Sequence, residues 1–202
     1  MKEMSPLDRF LLLITGILAG YQIAIGIEGA APPAVWAYTV GFGALLLAGV
    51  LLLIFGFELL GSPFTIVVST LIPLALSLGL VWEYLPGWRT AYLLFAVLGF
   101  ALVGLARMAV PGRPATLALA IVHGVAGLLI FGLPLLLSVR GEAPAGFALV
   151  GVGGALIGVG GLLLSFLKMG RPLLPQKTIL TVLPLLLLLT TSAFVAGFAV
   201  VQ

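Results

Sequence analysis

His123 is the only histidine in a 202-residue chain that has no cysteine and a single aspartate, Asp8. It stands about ten residues into an apolar run, near mid-membrane on a spanning reading, where ionisable groups are costly and often functional. Thr15-Gly16 and His123-Gly124 match locally, which puts Thr15 at a similar depth. Thr190, Thr191 and Ser192 form a polar run in the middle of the last apolar segment, directly after Leu185–Leu189. One imidazole with Thr15, Thr190 and Thr191 would make a polar pocket, a candidate site for a neutral or weakly polar solute. The plainer reading has a neutral imidazole making one interhelical hydrogen bond, with each hydroxyl bonding the carbonyl one turn back.

Other chemistry is removed by subtraction. Without cysteine the chain has no disulfide, thiolate nucleophile, zinc-thiolate site or iron–sulfur ligand. One histidine is too few for a zinc hydrolase, and a bis-histidine haem would need a second from elsewhere. An intramembrane aspartyl protease needs two aspartates, and a retinal Schiff base needs a lysine inside the last helix, beyond Lys177. The expectation is a protein that is not an enzyme and has no metal and no cofactor. The nine basic residues are scattered, so no face exists to grip nucleic acid.

The elements that hold these residues follow from hydrophobicity. The chain is 62% hydrophobic and 7% charged, against roughly a quarter charged in a soluble domain. Seven stretches reach the length of about 20 residues that a bilayer requires. They are 7–27, 34–60, 64–82, 89–109, 115–138, 145–167 and 178–200. Glycine and proline separate them at Gly29–Pro33, Gly61-Ser62-Pro63, Pro86-Gly87, Pro111-Gly112-Arg113-Pro114, Gly141–Pro144 and Gly170-Arg171-Pro172. The first run continues through Ile27 without a small-residue cleavage site, so it reads as a span, not a signal peptide.

Basic residues flanking spans are retained in the cytoplasm. Lys2, Arg9, Arg107, Arg113, Lys168, Arg171 and Lys177 lie on the amino-terminal side, and only Arg89 and Arg140 on the other. This predicts a multi-pass protein of the cytoplasmic (inner) membrane, with its amino terminus inside and its carboxyl terminus outside.

Shifting the chain by 111 residues aligns Pro33–Leu80 with Pro144–Thr191 without a gap, and 16 of 48 pairs are identical. Seven identities are leucine, but the rest include Pro33/Pro144, Gly43/Gly154, Gly49/Gly160, Phe55/Phe166, Thr70/Thr181 and Pro73/Pro184. The expected fold is all-α: one membrane domain over 1–202 with seven transmembrane helices in a 3+1+3 parallel-repeat bundle. Repeat A covers 7–82, a linker helix 89–109 and repeat B 115–200. This three-one-three plan is similar to that of the SWEET sugar transporters, without their Pro-Gln signature and in the opposite orientation. In span number and orientation the chain also resembles the adiponectin-receptor and hemolysin III hydrolases, whose several zinc-binding histidines it lacks.

Pro73, Pro134 and Pro184 fall inside spans as candidate kinks, because each removes the bond to the residue four back. Six glycines between Gly151 and Gly161 suggest that the sixth helix packs against neighbours. Glu58 and Glu83 are expected to anchor at the lipid interface, and Trp36, Trp82, Tyr84 and Trp88 to form an aromatic belt. Two functions fit: a small transporter or permease, or a non-catalytic accessory subunit of a larger membrane complex. The partners expected are the lipid bilayer and either a homo-oligomer or other membrane subunits, with no nucleic acid.

Overall fold

The computed structural model describes residues 3–109, 113–168 and 170–201; Lys2 and the expected turn at Pro111-Gly112 lie outside them. All regular structure among the described residues is helical. The long helices are α1 (Pro6–Ile25), α2 (Pro32–Phe55), α3 (Pro63–Tyr84), α4 (Arg89–Ala109), α5 (Arg113–Val139), α6 (Ala148–Lys168) and α7 (Gln176–Ala199). Among the described residues, seven helices are long and apolar enough to cross a membrane.

Local chemistry sets the boundaries. Ser5 and Asp8 form a capping box at the start of α1: the Asp8 amide donates to Ser5 Oγ at 3.1 Å and the Ser5 amide to Asp8 Oδ2 at 2.8 Å. Gly26, at φ +69°, ends α1 with its amide bonded to the Gln22 carbonyl. Gly56, at φ +66°, ends α2 at Phe55, earlier than the expected boundary at 60. The next residues, Gly56–Gly61, wind as a 3-10 turn that carries Phe57 onto Leu180 and Leu183 of α7. Pro73, Pro134 and Pro184 each lie inside a continuous helix.

The polarity of α1 is reversed relative to a water-soluble helix. Asp8, Leu12, Thr15, Gly16, Ala19 and Gln22 face inward, whereas Leu7, Phe10, Leu13, Ile17 and Tyr21 are exposed. Such a surface suits hydrocarbon, where the interior needs small and hydrogen-bonding groups and the exterior needs none.

α1 packs on α2 and α7, α2 on α3, α3 on α5, α5 on α6 and α6 on α7, so six helices close a ring. α4 lies outside it against α3 and α5. A bond of 2.6 Å between Tyr92 Oη and Ser77 Oγ ties α4 to α3, and Ala96 and Val103 pack with Leu74, Ala118 and Val122. Aromatic side chains gather at the end where α1, α3, α5 and α7 finish, here the far end. Tyr38 and Phe42 of α2 meet Phe198 of α7 at ring-centroid distances of 4.8 and 6.0 Å, and Phe147 lies 6.1 Å from Phe198. The first half of α6 is pressed between its neighbours: a Cβ on Gly151 would stand 2.7 Å from the Phe131 carbonyl oxygen. The second half is open, since a Cβ on Gly158 or Gly161 would meet nothing.

Candidate functional site

The residues singled out by sequence divide into two kinds. Thr15 Oγ1 donates to the Leu11 carbonyl and Thr191 Oγ1 to the Leu187 carbonyl, each at 2.8 Å and one turn back. Both hydroxyls are therefore internally satisfied. Thr190 Oγ1 and His123 Nδ1 are buried without a hydrogen-bond partner. No hydrogen bond joins any two of these four residues; α5 packs on α3, α4 and α6, whereas α1 packs on α2 and α7.

A different set of polar groups converges at the far end. Gln22 sits in the last turn of α1 and is 2% exposed. Its Nε2 donates to the Gly26 carbonyl at 2.6 Å, closing the helix end, and its Oε1 is left buried and unpartnered. Positive φ at Gly26 (+69°) and Gly29 (+76°) turns the chain sharply from α1 into α2, with the exposed Glu28 between them. On α2 the Tyr38 ring fills the notch at Gly79 of α3, where any Cβ would collide with it. Glu83, in the last turn of α3, accepts the Ala31 amide on Oε1 at 2.7 Å. Ala31 is the N-cap residue of α2 and supplies no side-chain cap of its own, so the carboxylate satisfies an otherwise orphaned helix-start donor. Tyr84 packs at 5.3 Å on Phe147.

These groups line a half-open cavity of about 150 Å³ formed by Glu28, Tyr38, Glu83, Tyr84, Phe198 and Val201 with the α1–α2 turn. A smaller one of about 10 Å³ adjoins it, sharing Ile27 and Tyr38 and reaching one turn further along α2 to Thr39 and Phe42. Gln22 lines this inner space, which has room for one water-sized group. The walls carry two carboxylates and no lysine, arginine or histidine. Arg89 is engaged elsewhere, with its Nε donating to the Trp82 carbonyl at 2.6 Å and its guanidinium 5.8 Å over the Trp82 ring. No group of three or more His, Cys, Asp or Glu suited to a metal occurs among the described residues.

Two expectations are corrected here. Glu83 is half-buried and caps α2 instead of anchoring in lipid, and Tyr84 turns into the bundle instead of joining the belt. Trp36 and Trp88 do point outward, at 72% and 66% exposure, and Glu58 is exposed. Sequence reasoning missed Gln22 and Tyr38. The available signal for Gln22 was an amide inside an apolar run, four residues before a glycine that ends the helix. No protein-family model, no curated protein and no solved structure matches the chain.

Proposed function

We propose that this chain is a multi-pass permease for a small polar solute in the cytoplasmic (inner) membrane. Its two three-helix halves, α1–α3 and α5–α7, are related by an axis along the membrane normal and joined by α4. The observation that carries the reading is the far-end cavity, which lies where α1, α2 and α3 of one half meet α7 of the other. Below it, Phe42, Phe194 and Phe198 form the barrier, with Phe42 and Phe194 edge-to-face at 6.4 Å.

Two further features support it. The ring of neighbours reads the same when the halves are exchanged, the α1–α7 contact answering α5–α3. Among the described glycines, those where a Cβ would come closer than 3.0 Å to a neighbour all pair helices or turns of one half: Gly41 and Gly79, or Gly146, Gly151, Gly153, Gly154 and Gly197. The tightest glycine contacts thus lie within each half, while aromatic rings of α2 and α7 meet across the halves, an arrangement suited to rigid-body rocking. A non-catalytic accessory subunit is the second reading, favoured by the exposed α4 stripe Leu94, Leu98, Leu102 and Leu105, which would accept another helix as readily as lipid.

The basic-residue count places the cavity outside, so a reporter fused after Gln202 should be active only on the outer side. Because the chain has no cysteine, single cysteines can be placed at Gln22, Phe42 and Thr190 and probed in sealed vesicles with an impermeant thiol reagent. A cycling permease exposes Phe42→Cys and Thr190→Cys as well as Gln22→Cys. Protection of the two deeper sites under every condition, together with stable unlike partners in a native mass measurement, would establish the accessory subunit instead.

A further inference from the structure

We propose that the far-end cavity is a binding site for a small primary ammonium ion of about five or six heavy atoms. This names the solute class of the permease reading and rests on it for purpose, while the chemistry comes from the walls alone.

Both charged side chains in the walls are hydrogen-bond acceptors. Glu83 Oε1 accepts the Ala31 amide at 2.7 Å, which leaves the second carboxylate oxygen for a guest, and Glu83 and Glu28 line the same cavity. Gln22 adds a buried acceptor whose amide nitrogen is already committed at 2.6 Å to Gly26, leaving Oε1 unpartnered in the adjoining space. The Tyr38 and Tyr84 hydroxyls can accept as well as donate, and Tyr38 lies within electrostatic reach of both Glu83 and Tyr84. An alkylammonium carries three N–H donors and no acceptor, which complements this set. A neutral alcohol or an anion would leave carboxylate oxygens unmatched.

Shape and charge argue the same way. Two carboxylates without a lining cation favour a positive guest, and the aromatic faces of Tyr38, Tyr84 and Phe198 favour an organic one. A hard divalent ion would take six or more oxygen ligands, whereas the side-chain oxygens in these walls come only from Glu28, Glu83, Tyr38 and Tyr84, and Glu83 already accepts the Ala31 amide. A half-open space of about 150 Å³ admits a guest of about five or six heavy atoms with part of its surface left to solvent.

The test uses the purified full chain in detergent and an isosteric pair, tert-butylammonium and tert-butanol, with Ca²⁺ as a third probe, each titrated by calorimetry. The ammonium should bind at least tenfold more tightly than the alcohol, and Ca²⁺ should not compete with it. Glu83→Gln keeps an oxygen for the Ala31 amide, so it should fold normally and lose about tenfold in ammonium affinity. Gln22→Leu, which removes the inner acceptor, and Tyr38→Phe, which keeps the ring in the Gly79 notch, should each weaken binding several-fold. Equal affinity for alcohol and ammonium, displacement by Ca²⁺, or an unaltered Glu83→Gln protein would overturn the assignment. Flux in proteoliposomes is measured separately. Ammonium binding without flux preserves this site and defeats the permease, whereas flux of solutes without regard to charge preserves the permease and defeats this site.

Discussion

The α2–α3 and α6–α7 pairs align at the same sequence offset, yet they solve close packing differently. In the first pair each helix carries one tight glycine and both notches are met by side chains: Tyr38 of α2 fills Gly79 of α3, and Leu76 of α3 lies against Gly41 of α2. In the second pair Gly153 of α6 likewise receives the Phe194 ring of α7, but Gly197 of α7 does not meet side chains alone. There the backbones themselves approach, since a Cβ on Gly197 would lie 2.7 Å from the Val150 amide nitrogen. Equivalent positions therefore carry different constraints. A side chain can rotate away from an added methyl group, but a helix backbone must move as a body.

Substitutions should separate the two pairs in that order. Gly197→Ala is expected to be the most damaging, at about 3 kcal/mol or more, because the collision is with backbone on a face where overpacking has no soft relief. Gly41→Ala should cost less, about 1 kcal/mol, because the added methyl meets the Leu76 side chain, which can shift where a backbone cannot. Thermal unfolding of the purified variants checks this, and equal losses would erase the distinction between the pairs.

Gly79→Ala should fall between them at about 2 kcal/mol, with much of the loss recovered in Gly79→Ala/Tyr38→Leu, because the added methyl and the ring compete for one notch. A double variant no better than the sum of the singles would show that the ring is not the obstacle. Ser77→Ala should cost about 1 kcal/mol by stranding the Tyr92 hydroxyl, and it probes a contact that the second pair lacks, since Leu188 occupies the aligned position. Tyr92→Phe combined with Ser77→Ala should cost less than the two single losses added together.

The smallest effects are expected at the residues first suspected from sequence. Thr15→Val and Thr191→Val remove hydroxyls bonded only to their own helices and should change stability by less than about 0.5 kcal/mol. His123→Phe should fold normally and keep flux if the solute enters through the far-end cavity. A well-folded but inactive His123→Phe protein would return the binding site to mid-membrane.

Much of the architecture was legible because lipid-spanning length and turn chemistry are written locally. The seven apolar runs correspond to the seven long helices, the breaks within the described residues fall between them, and Pro63 does begin α3. The early end of α2 was missed because the mostly apolar stretch Phe55–Leu60, broken only by Gly56 and Glu58, looks the same in an α-helix and in a 3-10 turn. Only the positive φ of Gly56 separates the two.

The sequence by itself determined that the chain is apolar, built of seven long segments and biased in basic charge, since these depend on side-chain transfer energies that need no neighbours. It also determined that thiol, multi-histidine and paired-aspartate chemistry are missing from this chain. Tertiary structure alone decided which polar groups meet. Glu83 and Tyr84 stand at a span end, where lipid interface and bundle interior are equally near in sequence. They turn inward because the start of α2 presents an unsatisfied amide at Ala31 and Phe147 presents a ring. Gln22 and Tyr38 become neighbours for a similar reason: a positive-φ turn at Gly26 brings α1 back against α2, and a glycine on a third helix leaves room for the ring between them.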